Sequence, residues 1–220
     1  MKKTLFCAFL AMVSCGGSTG RSTMPETERK LLEGDSEMTI VTWDPQRNTG
    51  DPTLRKKASS VSGMTRSDLL QLDRRMRLTL EKSGGVGLAA PQVGVSVRMI
   101  LVQLQNEAKT VITCLDPEIE IRSGNLVDGY EGCLSIPGLG GKVKRHEQVQ
   151  VRCLALDGRT LIHESTGFEA RIFQHEVDHL EGELYIDKLE GDLMPIEEMR
   201  RRREAEKTGE QTPPEADTKQ

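Results

Sequence analysis

The chain has 220 residues, of which 36% are hydrophobic and 29% are charged. This length and composition favour one globular domain with appendages and argue against a wholly disordered chain. The formal net charge of -4 gives no general reason to expect nucleic-acid binding, and five cysteines are too few for a disulfide scaffold.

The N-terminus has the layout of a bacterial lipoprotein signal peptide. A basic start precedes an apolar run from Leu5 to Val13, which is too short to span a bilayer. The run ends in a segment that resembles a lipobox, although Met12 stands where that box prefers Leu. We therefore predict a signal peptide over 1–15, membrane anchoring through a lipidated Cys15, and a polar linker over 16–37.

The first predicted element of the folded part is a helix. Four apolar residues between positions 69 and 80 recur at helical spacing. Thr65 and Asp68 form a plausible capping box, and Gly84 and Gly85 supply a stop signal. The pattern predicts a helix over about 66–82.

Strand patterns follow this helix. Residues 95–104 are rich in β-branched side chains, and apolar residues alternate with polar ones near 119–121 and 149–153. A second helix is expected over 169–180, with one apolar face. The order of helix, several strands and helix predicts an α+β domain over 38–195 and disfavours a doubly wound sheet.

The second predicted helix carries an H-E-x-x-H motif. His175 and His179 are four residues apart, so both imidazoles can reach one cation from the same helix face. Glu176 stands beside them, where it can take a proton from an attacking water. The motif also occurs by chance on polar helix faces, but its apolar flanks here favour a buried helix.

Two histidines need a third ligand. The sequence almost matches the metzincin protease signature, but Tyr185 stands at its third histidine, and the downstream glutamates are weaker options. Cys133 lies in a loop rich in glycine and proline, whereas Cys153 lies in an alternating strand and suits the core. A Cys/His/His set leaves a fourth position open, as catalysis requires.

A third segment, Gly85–Gly94, is rich in small residues. It fits the spacing of a dinucleotide-binding fingerprint, but it follows a helix and contains Pro91, so the context is wrong. Gln92 could offer its side-chain amide to a developing oxyanion. Taken alone, the segment is better explained as an ordinary tight loop.

Together the three segments resemble peptide deformylase. That family carries G-x-G-x-A-A-x-Q, E-G-C-x-S and Q-H-E-x-D-H-x-x-G in this order, matched here by Gly85–Gln92, Glu131–Ser135 and Gln174–Gly182. The resemblance spans about residues 40–190, and Arg171 departs from it on a helix face that is usually apolar. It implies antiparallel strands packed around a central helix that bears the H-E-x-x-H motif.

The resemblance also implies a function. The enzyme would remove the N-formyl group from the N-terminal formyl-methionine of newly made polypeptides and release formate. One Fe²⁺ per chain, replaceable by zinc, nickel or cobalt, would be held by Cys133, His175 and His179. Glu176 would act as the general base, with the Gln92 amide and the Leu134 backbone N–H as oxyanion donors.

Substrate binding is assigned to Gly85, Val86, Gly87, Phe168, Ile172 and Arg145. The glycines would let a substrate backbone pair along the loop as an added strand, and the apolar residues would receive the methionine side chain. Arg145 is also, with Glu131 and Asp178, a candidate for supporting the metal ligands. The alternative for these three is an exposed charge pair.

Residues 196–220 are strongly charged and predict a solvated helix end followed by a disordered tail, in which Arg200–Arg203 could contact the ribosome. No DNA partner is expected. The leader conflicts with a function in protein synthesis, so we expect a bacterial protein that is either an exported, membrane-anchored lipoprotein or a cytoplasmic enzyme starting near Met38. The competing functions are an H-E-x-x-H metallopeptidase, which would lack a thiolate ligand, and a non-catalytic formyl-peptide binding protein, which would not need Glu176.

Overall fold

A six-stranded antiparallel sheet and the helix that packs on it dominate the computed structural model, which describes residues 22–208. The helices are α1 (Glu26–Leu31), α2 (Arg66–Ser83), α3 (Gly167–Glu181) and α4 (Ile196–Thr208). The strands are β1 (Trp43–Asp44), β2 (Thr49–Gly50), β3 (Gly87–Ala89), β4 (Met99–Gln103), β5 (Val111–Cys133), β6 (Ile136–Leu154), β7 (Thr160–Thr166) and β8 (Met194–Pro195). The large sheet has the order β3-β4-β5-β6-β7, and β8 pairs with β6. The predicted α+β class with antiparallel strands around the H-E-x-x-H helix is confirmed.

Helix α2 begins and ends where its sequence signals predict. Thr65 Oγ1 accepts a hydrogen bond from the Asp68 N–H, and Asp68 Oδ2 accepts one from the Thr65 N–H, each at 3.2 Å. Gly84 takes the left-handed conformation with φ of 66°, which ends the helix. The apolar face, with Leu72 and Met76 fully buried, packs into the core.

Helix α3 lies against the sheet and carries the histidines into the interior. Phe173 and Leu180 are fully buried and share a core cluster with residues of β4, β5 and β6. Gly182 ends the helix with φ of 78°, and a Cβ at this position would press against the backbone of Arg55 and Lys56. The apolar face of α3 packs on the sheet and so fixes the rotation of the helix about its axis. The other face of the same turns carries the two histidines.

The predicted linker over 16–37 is wrong for its described part, residues 22–37. This segment forms α1, and Leu32 is buried in the core cluster that includes Leu72. The Arg75 guanidinium donates to main-chain carbonyls of Leu31, Glu33, Ser36 and Glu37. One apolar side chain and one arginine thus order a segment without periodicity. The predicted signal peptide over 1–15, including Cys15, lies outside the described residues.

The predicted disorder over 196–220 is wrong for residues 196–208, where the predicted helix end is a packed helix. These residues form α4, and Met199 is 7% exposed because its side chain packs over Gly140 of β6. Ile196 approaches Gly132 of β5 in the same way. The domain therefore extends beyond the predicted boundary at 195, while residues 209–220 lie outside the described part. Within the described part, no helix is long and apolar enough to cross a bilayer.

Strands β5 and β6 are joined by a disulfide between Cys114 and Cys153. Both residues are buried, which confirms the predicted core position of Cys153. Cys133 is the free cysteine of the described residues.

Candidate metal centre and substrate pocket

Three predicted ligands meet where α3 passes the end of β5. His175 and His179 come from successive turns of α3, and Cys133 is the last residue of β5. Their ligand atoms all lie within 4.8 Å of one another, and Cys133 Sγ is 3.3 Å from His179 Nε2. His179 is buried, whereas Cys133 and His175 are half-buried, so the cluster is open on one side.

The donor set fits a tetrahedral cation. Metal–sulfur and metal–nitrogen bonds of the usual lengths place the two donor atoms about 3.5 Å apart, close to the spacing between Cys133 and His179. Beside the cluster, Glu176 Oε2 is buried and has no hydrogen-bond partner among the described residues. A buried carboxylate oxygen without a partner is costly unless water or a ligand reaches it. The residues present therefore fit a cation with an adjacent reacting molecule.

Glu131 orients the first histidine. His175 Nδ1 donates to Glu131 Oε2 at 2.9 Å, which leaves the other ring nitrogen for the cluster. Burial raises the pKa of Glu131, but hydrogen bonds from Arg145 and His175 outweigh it and hold the pKa well below its usual range. The carboxylate is therefore a fixed negative charge behind the site.

Arg145 does not line the cavity, so the assignment of this residue to substrate binding is wrong. It is 4% exposed and donates from Nε and Nη2 to the two oxygens of Glu131, each at 2.9 Å. Its Nη1 donates to Asp178 Oδ2 at 2.5 Å. The alternative of an exposed charge pair is also wrong, because Glu131 and Arg145 are both buried. Arg145 instead joins the Glu131 carboxylate of β5 to the Asp178 carboxylate of the H-E-x-x-H helix.

Arg171 belongs to the same buried network. Its Nη1 donates to Glu131 Oε1 at 2.8 Å and to the main-chain carbonyl of Val143 at 2.8 Å. Its Nη2 donates to the Val127 carbonyl at 2.8 Å. The sequence marked Arg171 only as a departure from the family pattern, because its partners come from distant strands.

Gln92 presents its amide nitrogen to the site. Its Oε1 accepts from the Ala89 N–H at 2.8 Å, so the carbonyl end is held by the neighbouring backbone. The Nε2 group donates to Cys133 Sγ and to Ser135 Oγ, each at 3.4 Å. The tight loop of the sequence is in fact strand β3 followed by a short 3-10 helix, Ala90–Val93. This turn fixes the direction of the Gln92 side chain.

Glu176 is buried directly behind strand β3. Desolvation raises the pKa of Glu176 to about 7 despite the opposing charge of His175. A cation in the adjacent cluster would lower this pKa again. A Cβ at Gly87 would overlap the Glu176 carboxylate, so glycine at this position is a requirement of the close approach.

A cavity of about 540 Å³ opens onto this cluster. It is lined by predicted site residues, namely Gly85, Val86, Gly87, Gln92, Cys133, Leu134, Phe168, Ile172, His175 and Glu176. It is also lined by residues that the sequence reasoning missed, among them Tyr130, Arg171, Ile196, Met199, Arg200 and Arg203. The last four come from α4. The three-residue spacing of Ile196 and Met199 was the sequence signal that could have indicated a packed helix here.

Known proteins match both the sequence and this arrangement. A family model described as polypeptide deformylase matches residues 45–193. The chain belongs to the peptide deformylase family. A peptide deformylase of Symbiobacterium thermophilum is 47% identical over 145 residues, which are 66% of this chain and 65% of that protein. Another, of Dictyoglomus thermophilum, is 43% identical over 152 residues, 69% of this chain and 96% of that protein.

Solved peptide deformylase structures share the fold. A class I type b peptide deformylase from Acinetobacter baumannii, with Met-Ala-Ser bound, has a TM-score of 0.63 at 34% identity and covers 71% of this chain and 100% of its own. The Thermotoga maritima peptide deformylase has a TM-score of 0.62 at 32% identity, covering 70% and 99%. The chain is a deformylase enzyme that removes N-formyl groups from nascent polypeptides. The predicted activity is thereby confirmed against the metallopeptidase and the non-catalytic binder.

Proposed function

We propose that Cys133, His175 and His179 hold one Fe²⁺ per chain, and that zinc, nickel or cobalt can replace it. The support is the donor set, because one thiolate and two imidazoles suit these borderline metals and exclude magnesium or calcium. When bound, the cation supplies Lewis acidity for amide hydrolysis near neutral pH. The buried Glu131 charge behind His175 strengthens that ligand.

Glu176 acts as the general base and then as the general acid. Its carboxylate takes a proton from the attacking water and returns it to the nitrogen of the departing peptide. The position of Glu176 supports this role, because its buried Oε2 has no hydrogen-bond partner among the described residues and lies beside the ligand cluster. Formate leaves, and the peptide keeps a free amino group.

Gln92 and Leu134 stabilise the charge that develops on the formyl oxygen. The Gln92 amide nitrogen is fixed beside Cys133 by the hydrogen bond at its other end. Leu134 lines the same cavity, next to the cysteine in the chain, so its backbone N–H is the second donor. A donor of this kind is worth about 3 kcal/mol of activation free energy.

The substrate is a peptide that begins with formyl-methionine. Val86, Leu134 and Ile172 offer an apolar wall for an unbranched side chain, and Phe168 extends this wall towards the mouth of the cavity. Among the described strands, β3 ends the sheet, so Gly85, Val86 and Gly87 leave a backbone edge to which an extended peptide can add. The Met-Ala-Ser peptide bound in the Acinetobacter baumannii enzyme supports this substrate class.

The convergence of the three ligands beside Glu176 carries this proposal. The test is release of formate from formyl-Met-Ala-Ser by the metal-loaded protein. Glu176→Gln should abolish release while the metal remains bound, because the amide keeps the shape but cannot take the proton. Glu190→Gln is the matched control, since Glu190 makes an exposed pair with Lys144. Formate release by the Glu176→Gln variant at the wild-type rate would refute the general-base role.

The compartment is a separate part of the proposal. We propose export and membrane anchoring through lipidated Cys15, with a cytoplasmic enzyme that starts near Met38 as the alternative. The buried Cys114–Cys153 disulfide supports export, because such bonds persist in oxidising compartments. Mass spectrometry of the native N-terminus decides, since a lipidated Cys15 and a start near Met38 exclude each other.

Ribosome contact through Arg200–Arg203 stays a prediction. Arg200 pairs with Glu197, and Arg201 and Arg202 both pair with Glu198 within α4. These pairs reduce the positive charge that α4 presents. Co-sedimentation with ribosomes, compared with a variant in which all four arginines are alanine, tests the contact.

A further inference from the structure

Helix α4 brings two arginines to the mouth of the substrate cavity. Arg200 and Arg203 both line it, together with Phe168 at the start of α3. The Arg203 guanidinium lies over the Phe168 ring, 5.3 Å from its centroid. Phe168 is 40% exposed, so this stacked pair forms a rim that faces solvent and the cavity.

The charge at this rim is not balanced locally. The acidic residues that line the cavity are Glu131 and Glu176, and Glu131 is already bonded to Arg145, Arg171 and His175. Within residues 22–208, Arg203 has no carboxylate at ion-pair distance. Arg200 pairs with Glu197, but both side chains are mostly exposed, and such a pair is weak. Glu206 accepts from Tyr130 at the same cavity, but its charge is paired with Lys142. The mouth of the cavity is therefore positive, whereas its floor holds the reacting groups.

The position of Phe168 gives the distance from that floor. Phe168 precedes His175 by seven residues on α3, and a rise of 1.5 Å per residue separates them by about 10 Å along the helix. An extended peptide advances about 3.4 Å per residue. A peptide that has its formyl end at the metal ligands and runs along α3 therefore reaches the level of Phe168, on which Arg203 is stacked, at about its third residue.

We propose that Arg203, assisted by Arg200, binds an acidic side chain at the third residue of the formylated peptide. This inference rests on the proposed function, because it takes the formyl end to lie beside Cys133 and His175. The deformylase is then selective beyond methionine, and it prefers nascent chains with aspartate or glutamate near the N-terminus. An arginine stacked on an aromatic ring is held in place, so it loses little freedom when it binds a carboxylate.

Three peptides test the inference with the metal-loaded enzyme: formyl-Met-Ala-Glu, formyl-Met-Ala-Gln and formyl-Met-Ala-Lys, each with an amidated C-terminus. The wild type should favour Glu over Gln by about 3- to 10-fold in kcat/KM, and Lys should be the poorest substrate. The difference should lie in KM, because the contact is made equally in the ground and transition states. It should shrink in 0.5 M salt, since the contact is exposed.

Arg203→Glu should reverse the order so that Lys exceeds Glu, and Arg203→Gln should abolish the preference between them. Arg201→Glu is the matched control, because Arg201 carries the same charge on the same helix, is 77% exposed and does not line the cavity. This control should keep the wild-type ratio of Glu to Gln. Thermal unfolding of each variant shows whether α4 remains folded.

Two results overturn the inference: equal kcat/KM for Glu and Gln peptides in the wild type, or a ratio that Arg201→Glu changes as much as Arg203→Glu. Absence of formate release from all three peptides would instead refute the proposed function. Binding by the arginines is then tested by calorimetric titration, which measures the affinities for amidated Met-Ala-Glu and Met-Ala-Gln. Tighter binding of the Glu peptide that is lost in Arg203→Gln supports the rim site, and equal binding overturns it.

Discussion

Glu131→Gln should damage the metal centre although Glu131 is not a ligand. Oε1 of Glu131 accepts from Arg145 Nε and Arg171 Nη1, and Oε2 accepts from Arg145 Nη2 and His175 Nδ1. A glutamine has the same shape but turns one of these oxygens into an NH₂ group. Whichever oxygen is replaced, two N–H donors of neighbouring side chains then face the new NH₂ group. The glutamine also carries no negative charge, so the buried Arg171 guanidinium loses its carboxylate partner.

The magnitude follows from this count. Removing one partner of a buried ion pair costs about 3–5 kcal/mol of the free energy of unfolding. The loosened His175 ring should weaken metal binding by about 10- to 100-fold, as is typical for the carboxylate behind a histidine ligand. The two effects are separable, because the first is present without metal and the second appears only as a change in affinity.

Urea unfolding without metal measures the first effect, and titration with Co²⁺, followed by its visible absorption, measures the second. Glu118→Gln is the matched control, since Glu118 is on the same strand, pairs with Arg152 and has a 61% exposed side chain. The control should change unfolding by less than about 1 kcal/mol. The positioning role of Glu131 is refuted if Glu131→Gln changes the free energy of unfolding by less than about 1 kcal/mol and its Kd for Co²⁺ stays within about twofold of the wild-type value.

Three further changes test other parts of the structure. Replacing Cys114 and Cys153 by alanine should lower the free energy of unfolding by about 4 kcal/mol, because the disulfide closes a loop with a sequence separation of 39. A variant that unfolds at the same urea concentration as the wild type with its disulfide intact would contradict this. Gly87→Ala should lower kcat/KM by about 100-fold, because its Cβ displaces Glu176; metal content should stay at the wild-type level, and unaltered kinetics would show that the strand yields. Met199→Ala should cost about 2 kcal/mol or more in thermal unfolding, whereas Arg201→Ala should cost less than about 0.5 kcal/mol; equal effects would mean that α4 does not pack on β6.

The reacting groups were predictable because their chemistry depends on local spacing. His175, Glu176 and His179 are fixed by one helical period, and the context of Cys133 distinguishes it from Cys153. Helix α2 was also predictable, because its cap, its apolar stripe and its glycine stop agree. In each case the information lies within a few consecutive residues.

The rest depends on pairing between distant segments. The disulfide requires the register of β5 against β6, and the partners of Arg171 come from both strands. Helix α1 has no buried residue and only the following Leu32 is buried, while α4 buries Met199, so periodicity is too weak to distinguish these helices from solvated segments. Arg145 was assigned to the substrate because a sequence cannot show whether an arginine is buried between two carboxylates.

Strand β3 sets a condition on the state of the substrate. The strand is three residues long and continues into a 3-10 helix, and the Ala89 N–H already donates to Gln92, so its edge accepts a single extended end and offers little surface to another sheet. A polypeptide whose first residues already belong to a helix or a sheet must release them before it can pair here, and each backbone hydrogen bond that breaks costs about 0.5–1.5 kcal/mol. The enzyme thus competes with folding of its own substrate, and the time available to it ends when the new N-terminus becomes structured.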